Sequence, residues 1–172
     1  MNKWYALYTK PKAEKKAAEQ LALKGIDYYL PLVRKRKQWS DRKVWVNEPL
    51  IRSYIFVNSK ESQLTTAIHT PGILDIVRFE NKAAVIPDKQ IALLKRLIDS
   101  EEQIEVCNEK FLAGEEVEVV FGKLYGMKGT LVEHRGRHKV LVRFDVIENI
   151  ILVDIPVANL RKTKRSTLQL QT

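Results

Sequence analysis

The chain has 172 residues, 45% apolar and 30% charged, with a formal net charge of +9 at pH 7. No apolar run approaches the roughly 20 residues of a membrane span, and a single cysteine, Cys107, excludes an internal disulfide. The length suits one domain or two small ones.

The positive excess lies in the first third. Met1 to Lys60 carries fourteen Lys and Arg against five Asp and Glu, whereas the remainder carries sixteen of each. Charge concentrated in this way points to a surface that faces a polyanion. The start Met1-Asn2-Lys3-Trp4-Tyr5 runs straight into a strand pattern without a signal-peptide layout, so the expected location is the cytoplasm.

Trp4 to Thr9 reads as a first strand, ended by Pro11. Lys12 to Lys24 reads as a helix with Ala13, Ala17 and Leu21 on one face, stopped by Gly25. Tyr28, Leu30 and Leu32 alternate along a second strand that continues into Arg34-Lys35-Arg36-Lys37. Gln38 to Lys43 forms the tip of a hairpin, and a return strand runs from Val44 through Leu50 to Val57, bent near Pro49. Ser62 to His69 reads as a short helix closed by Thr70-Pro71-Gly72, followed by strands at Ile73 to Phe79 and Ala83 to Ile86. Asp88 caps a helix with Ile91, Leu94 and Ile98 on one side.

Asp99 to Glu109 then holds five acids around few apolar residues, the composition of a solvated linker. Short, closely spaced strands follow at Glu116 to Phe121, Gly129 to Glu133, His138 to Phe144 and Asn149 to Ile155, as in a small barrel. The expected fold class is therefore α+β: an antiparallel sheet flanked by helices over 1–99, a linker over 100–112, an all-β barrel over 113–162 and a tail over 163–172.

Catalytic constellations are not found. Cys107 lies between Glu105 and Glu109, whose charges oppose formation of a thiolate. His134 and His138 have the spacing of a helical metal pair, but Gly136 and two arginines place them in a hairpin turn. His69 has no neighbouring nucleophile, and the glycines at 122, 126 and 129 match no phosphate-loop spacing. The expectation is a non-enzyme without cofactor or metal.

What stands out instead is basic and aromatic surface. Lys10, Lys12, Lys15 and Lys16 cluster at the start of the first helix, where cations oppose the macrodipole unless they meet an anion. Arg34 to Lys37 with Arg42 and Lys43 form a second cluster on the hairpin. Both suit phosphate contacts. Tyr5, Tyr8, Tyr54, Phe56 and Phe79 are the aromatic element: some of them belong to the core, and the others supply apolar surface of the kind that anchors protein interfaces.

In order, Lys3-Trp4-Tyr5-Ala6-Leu7-Tyr8-Thr9, Leu50-Ile51-Arg52-Ser53-Tyr54-Ile55-Phe56-Val57, Thr70-Pro71-Gly72-Ile73 and Val77-Arg78-Phe79 resemble the N-terminal domain of NusG-type transcription elongation factors. Val117 to Val120 with Gly122 to Leu131 resembles the KOW module of the same family, and together the likeness spans Lys3 to Lys162. Gln38 to Lys43, Glu48-Pro49-Leu50 and Ala84 to Pro87 resemble the specialised paralogues of RfaH and UpxY type. The usual Phe-Pro-Gly-Tyr and Gly-Pro-Phe stand here as Ile51-Arg52-Ser53-Tyr54 and Gly122-Lys123-Leu124.

The resemblance implies that the first domain docks on the clamp helices of RNA polymerase and suppresses pausing or termination. It marks Tyr8, Ile51, Tyr54, Phe56 and Phe79 as polymerase contacts. It marks Lys10, Lys16, Thr66, His69 and Thr70 as contacts to the non-template DNA strand. The KOW domain would recruit a ribosomal protein or Rho. A ribosomal-type KOW RNA-binding protein is the alternative, and it predicts a basic second half where this one is neutral.

Overall fold

A computed structural model describes residues 1–107 and 114–163, with Asp145 described in its backbone alone. Most of the expected tail, and positions 108–112 of the expected linker, lie outside the described residues. The chain divides into one unit of Met1–Ile98 with Asp145–Ile147 and another of Asp99–Phe144 and the residues from Glu148 onward.

In the first unit β1 (Lys3–Thr9) is central, pairing antiparallel with β5 (Tyr54–Ser59) on one side and with β6 (Ile73–Ile76) and β9 (Val85–Ile86) on the other. β2 (Asp27–Tyr29) completes this five-stranded sheet beyond β5. Tyr5, Ala6 and Leu7 are consecutive and all buried, as a strand covered on both faces requires. On one face Tyr5, Leu7, Ile55 and Val57 pack with Ala17, Ala18 and Leu21 of α1 (Glu14–Leu23) and Leu64 and Ala67 of α2 (Leu64–Ile68). Over the other lies α3 (Asp88–Asp99), whose Lys95 ammonium stands 5.6 Å from the Trp4 ring and 5.1 Å from the Tyr29 ring. α3 buries Leu97, not the expected Ile98, with Ile91 and Leu94.

α1 begins two residues later than its sequence pattern suggests, because Lys12 takes φ +62, a left-handed conformation incompatible with a helix. Gly25, at φ +67, ends it.

The long second strand expected from Tyr28 onward is two strands. Pro31 has no N–H for a ladder, so β2 stops and β3 (Leu32–Gln38) starts afresh. Its partner β4 (Lys43–Pro49) likewise does not continue into β5; a turn at 50–53 intervenes. β3 and β4 therefore form a separate two-stranded ribbon, closed at its tip by Trp39 N–H donating to Arg42 O and at its root by Leu50 N–H donating to Pro31 O, both at 2.8 Å. β7 (Arg78–Phe79) and β8 (Lys82–Ala83) make a second, smaller hairpin.

The second unit is one six-stranded antiparallel sheet in the order β10-β14-β13-β12-β11-β15, built from β10 (Ile104–Cys107), β11 (Glu115–Val119), β12 (Lys128–His134), β13 (Arg137–Phe144), β14 (Asn149–Val153) and β15 (Leu160–Lys162). Ile104 to Cys107 fall in the stretch read as a solvated linker. They pair instead with β14, because Ile104 and Val106 supply the alternation of an edge strand. At Gly129 an added Cβ would lie 2.6 Å from Leu141 O, so β12 and β13 approach closely only with glycine there.

Candidate protein and nucleic-acid interface

The β1–β5 register sets Tyr8 opposite Tyr54, with ring centroids 5.0 Å apart. Tyr8 is 37% exposed and Tyr54 half-buried, so the pair presents aromatic surface at the end of the sheet. Beside Tyr8 a bulge in the β1–β6 ladder leaves Leu74 unmatched and 56% exposed. Sequence alternation does not reveal Leu74, since the bulge breaks it. Phe79, on the β7–β8 hairpin, is 72% exposed. The preceding Arg78 donates to Asp75 at 2.6 Å, which holds the Asp75 carboxyl below its ordinary range.

Two residues expected in this patch are elsewhere. Phe56 is buried and stacks on Tyr29 at 6.4 Å, because β5 is covered on both faces and alternation alone does not expose one of them. Ile51 is buried at the 50–53 turn. Neither is available to a partner.

That turn is held from α1. Glu14 is buried, and its Oε1 accepts the Ser53 N–H at 2.8 Å. Ser53 has φ +61 and Thr9 N–H donates to its carbonyl at 2.9 Å.

Of the expected nucleic-acid residues, Lys10, Lys16, Thr66 and His69 are exposed. Lys10 N–H donates to Gly72 O at 2.9 Å, which sets Lys10 beside the end of α2. Gly72 has φ +92 and a Cβ there would lie 3.4 Å from Ala17 Cβ, so this close approach of loop to α1 suits glycine. Thr70 is a correction: it is buried, its hydroxyl donating to Thr66 O and accepting from Lys24. Lys24 also donates to the carbonyls of Thr66 and His69, each at 3.3 Å, and so caps α2 from the far end of α1. Its charge marks it as one more basic residue in sequence; only the fold shows it committed.

On the ribbon, Arg34, Arg36 and Gln38 stand opposite Asn47, Trp45 and Lys43 in register, a face without an acid. The Arg34 guanidinium lies 4.9 Å from the Trp45 ring and that of Arg42 6.0 Å from the Trp39 ring. Both tryptophans are about half exposed. Lys37 pairs with Glu48 and lowers the pKa of that carboxyl.

In the second unit the loop after β11 turns through Gly122 and Gly126 at positive φ, burying Leu124 and Met127 and exposing Phe121 and Tyr125 at 72% and 66%. The histidines part company: His134 is buried, its Nε2 3.3 Å from Glu105, and His138 is exposed. No helix among the described residues is long and apolar enough to cross a membrane.

Fold and surfaces define a two-unit protein with an aromatic patch and basic faces on an α+β unit, followed by a small β unit. The family profile described as "Transcription termination factor nusG" matches residues 2–95, more than half of the chain, and the chain belongs to the NusG family. It is similar to the structure reported as "Domain interaction in Thermotoga maritima NusG", at 20% identity and TM-score 0.59, covering 94% of this chain and 97% of that one. At that identity the likeness speaks for the fold, an N-terminal α+β domain with a KOW-like β domain. Two structures of an MjSpt4:Spt5 complex match at 14% and 16% identity, covering 93% and 92% of this chain and 97% and 95% of theirs. Their TM-scores of 0.32 and 0.34 carry no weight.

Proposed function

We propose that this chain is a transcription elongation or antitermination factor, of the specialised RfaH or UpxY type, that binds the clamp helices of RNA polymerase and suppresses pausing or termination. The observation that carries the reading is the exposed Tyr8–Tyr54 pair with Leu74 beside it, apolar surface that a monomer gains nothing from exposing. Phe79 extends the candidate surface from its hairpin. Lys10, Lys16, Thr66 and His69 form the basic face for the non-template strand, acting as phosphate contacts beside the main attachment. The β unit recruits a further partner, such as a ribosomal protein or Rho, and the exposed Phe121 and Tyr125 are the side chains suited to anchor it.

Binding to core RNA polymerase and transcription of a pausing template test this. Tyr8→Ala and Tyr54→Ala should each weaken polymerase binding at least tenfold, as loss of an aromatic anchor of about 2 kcal/mol does, and restore pausing. Lys10→Ala with Lys16→Ala should leave core binding intact and reduce the salt dependence of nucleic-acid contact. Wild-type binding by both tyrosine variants would remove the patch from the mechanism. The ribosomal alternative has the neutral second half against it.

A further inference from the structure

Glu14 stands in the first turn of α1, where the helix macrodipole favours an acid without requiring it to be buried. Here it is 5% exposed. It makes no ion pair among the described residues, and its Oε1 accepts the Ser53 N–H at 2.8 Å. A carboxylate is costly to bury without hydrogen bonds, so this one bond is the evident reason for its place.

Two further costs fall at the same node. Ser53 holds φ +61, a conformation that sterics disfavour for a residue with a Cβ. Thr9 donates its N–H to the Ser53 carbonyl at 2.9 Å, yet it is buried with its hydroxyl unpaired among the described residues. Local conflicts of this kind are expected at functional sites.

The node adjoins both tyrosines of the exposed patch. Thr9 follows Tyr8 on β1, and Ser53 leads into Tyr54 at the start of β5. The bond between Thr9 and Ser53 thus closes the ladder just beyond the Tyr8–Tyr54 pair. Rotation of the Ser53 φ would swing the backbone that carries Tyr54 and re-aim its ring against that of Tyr8, 5.0 Å away.

We propose that Glu14 is the positioning residue of this aromatic patch: its carboxylate pins Ser53 in the left-handed conformation and so fixes the setting of Tyr54 against Tyr8. The consequence for polymerase rests on the reading of the patch given above. Without the acceptor the serine relaxes to negative φ and the patch loses its shape. The core does not depend on this bond, because β1 and β5 stay in register from Lys3 with Ser59 to Leu7 with Ile55, and α1 packs through Ala17, Ala18 and Leu21.

The test uses the full chain labelled with fluorotyrosine, the resonances of positions 8 and 54 being assigned with Tyr8→Phe and Tyr54→Phe. Affinity for core RNA polymerase and the urea midpoint are measured alongside. Glu14→Met keeps a buried stem and a helix former but removes the acceptor. It should shift both fluorine resonances and weaken polymerase binding about tenfold, the ratio that corresponds to the steric bias against a left-handed serine. Glu14→Ala should do the same, and Glu14→Gln, which keeps a carbonyl oxygen for the Ser53 amide, should recover most of the loss. Ser53→Gly placed in the Glu14→Met chain should also restore binding, because glycine keeps positive φ without being held. Binding that follows the urea midpoint across these variants, without rescue by glycine, would reduce Glu14 to a structural residue and overturn the assignment. Unmoved resonances in both Glu14→Met and Glu14→Ala overturn it too. Resonances that move and return while polymerase affinity stays constant uphold the positioning and reject the polymerase reading instead, so the two failures are told apart.

Discussion

Ser53 carries a conformation that glycine adopts more readily, and the reason it is tolerated is local. Its amide is held by Glu14 and its carbonyl by Thr9. A left-handed non-glycine residue costs about 1–2 kcal/mol, offset by the roughly 0.5–1 kcal/mol that glycine loses in backbone entropy. Ser53→Gly should therefore stabilise the first unit by on the order of 0.5 kcal/mol, read from the urea midpoint. A destabilised variant would show that the side chain, not the backbone, matters at this turn. Tyr54 and Phe56 share a strand face and differ in burial. Phe56→Ala should cost about 3–5 kcal/mol, the usual penalty for emptying an aromatic core site, whereas the half-buried Tyr54→Ala should cost clearly less. Similar losses for the two would contradict their difference in burial. Their difference is also why Tyr54, and not Phe56, can report on partner binding.

At the scale of elements, α2 is too short to be stable by itself. Its last carbonyls are satisfied from another helix by Lys24, which also fixes the Thr70 hydroxyl. Lys24→Met keeps the aliphatic stem and removes the donor, so the loss isolates the cap. It should cost about 1 kcal/mol, with amide exchange accelerated in α2 and unchanged in the second unit. Uniform acceleration across both units would reject a local cap. The ribbon shows how elements arise from punctuation. The basic run and its turn are plain in the sequence, but Pro31 and the 50–53 turn detach β3 and β4 from the sheet. That detachment makes them a projecting ribbon with two usable faces. Register then gathers Arg34, Arg36, Lys43 and Trp45 on one of them.

For the whole molecule, a formal charge of +9 resolves into a basic first unit and a neutral second one, where cations are matched to acids across strands. Arg161 pairs with Glu118 and Lys162 with Glu115. Glu105 on β10 accepts from Lys139 at 2.9 Å, and this hydrogen bond, with the nearby His134 and Arg135, depresses its pKa. A carboxyl depressed in the folded state stabilises above its unfolded pKa of about 4.3 and loses that contribution as pH falls through the folded value. Glu105→Gln should thus lower the stability of the second unit at neutral pH, with the gap to wild type closing on acidification. A gap independent of pH would dismiss the ion pair as its source.

Composition, alternation and punctuation determined by themselves that this chain is an α+β unit followed by short strands, and order along the chain was enough to carry the NusG resemblance. Those features are local, or depend only on spacing. The tertiary structure alone decided which aromatic and polar residues reach solvent. Two-sided coverage of β5 buried Phe56, packing of the turn buried Ile51, and Lys24 withdrew Thr70 from the surface. It also drew Ile104 to Cys107 out of an acidic stretch into a sheet edge and brought Glu14 of α1 against the turn before Tyr54. Burial and convergence depend on partners distant in sequence, so no window along the chain contains them.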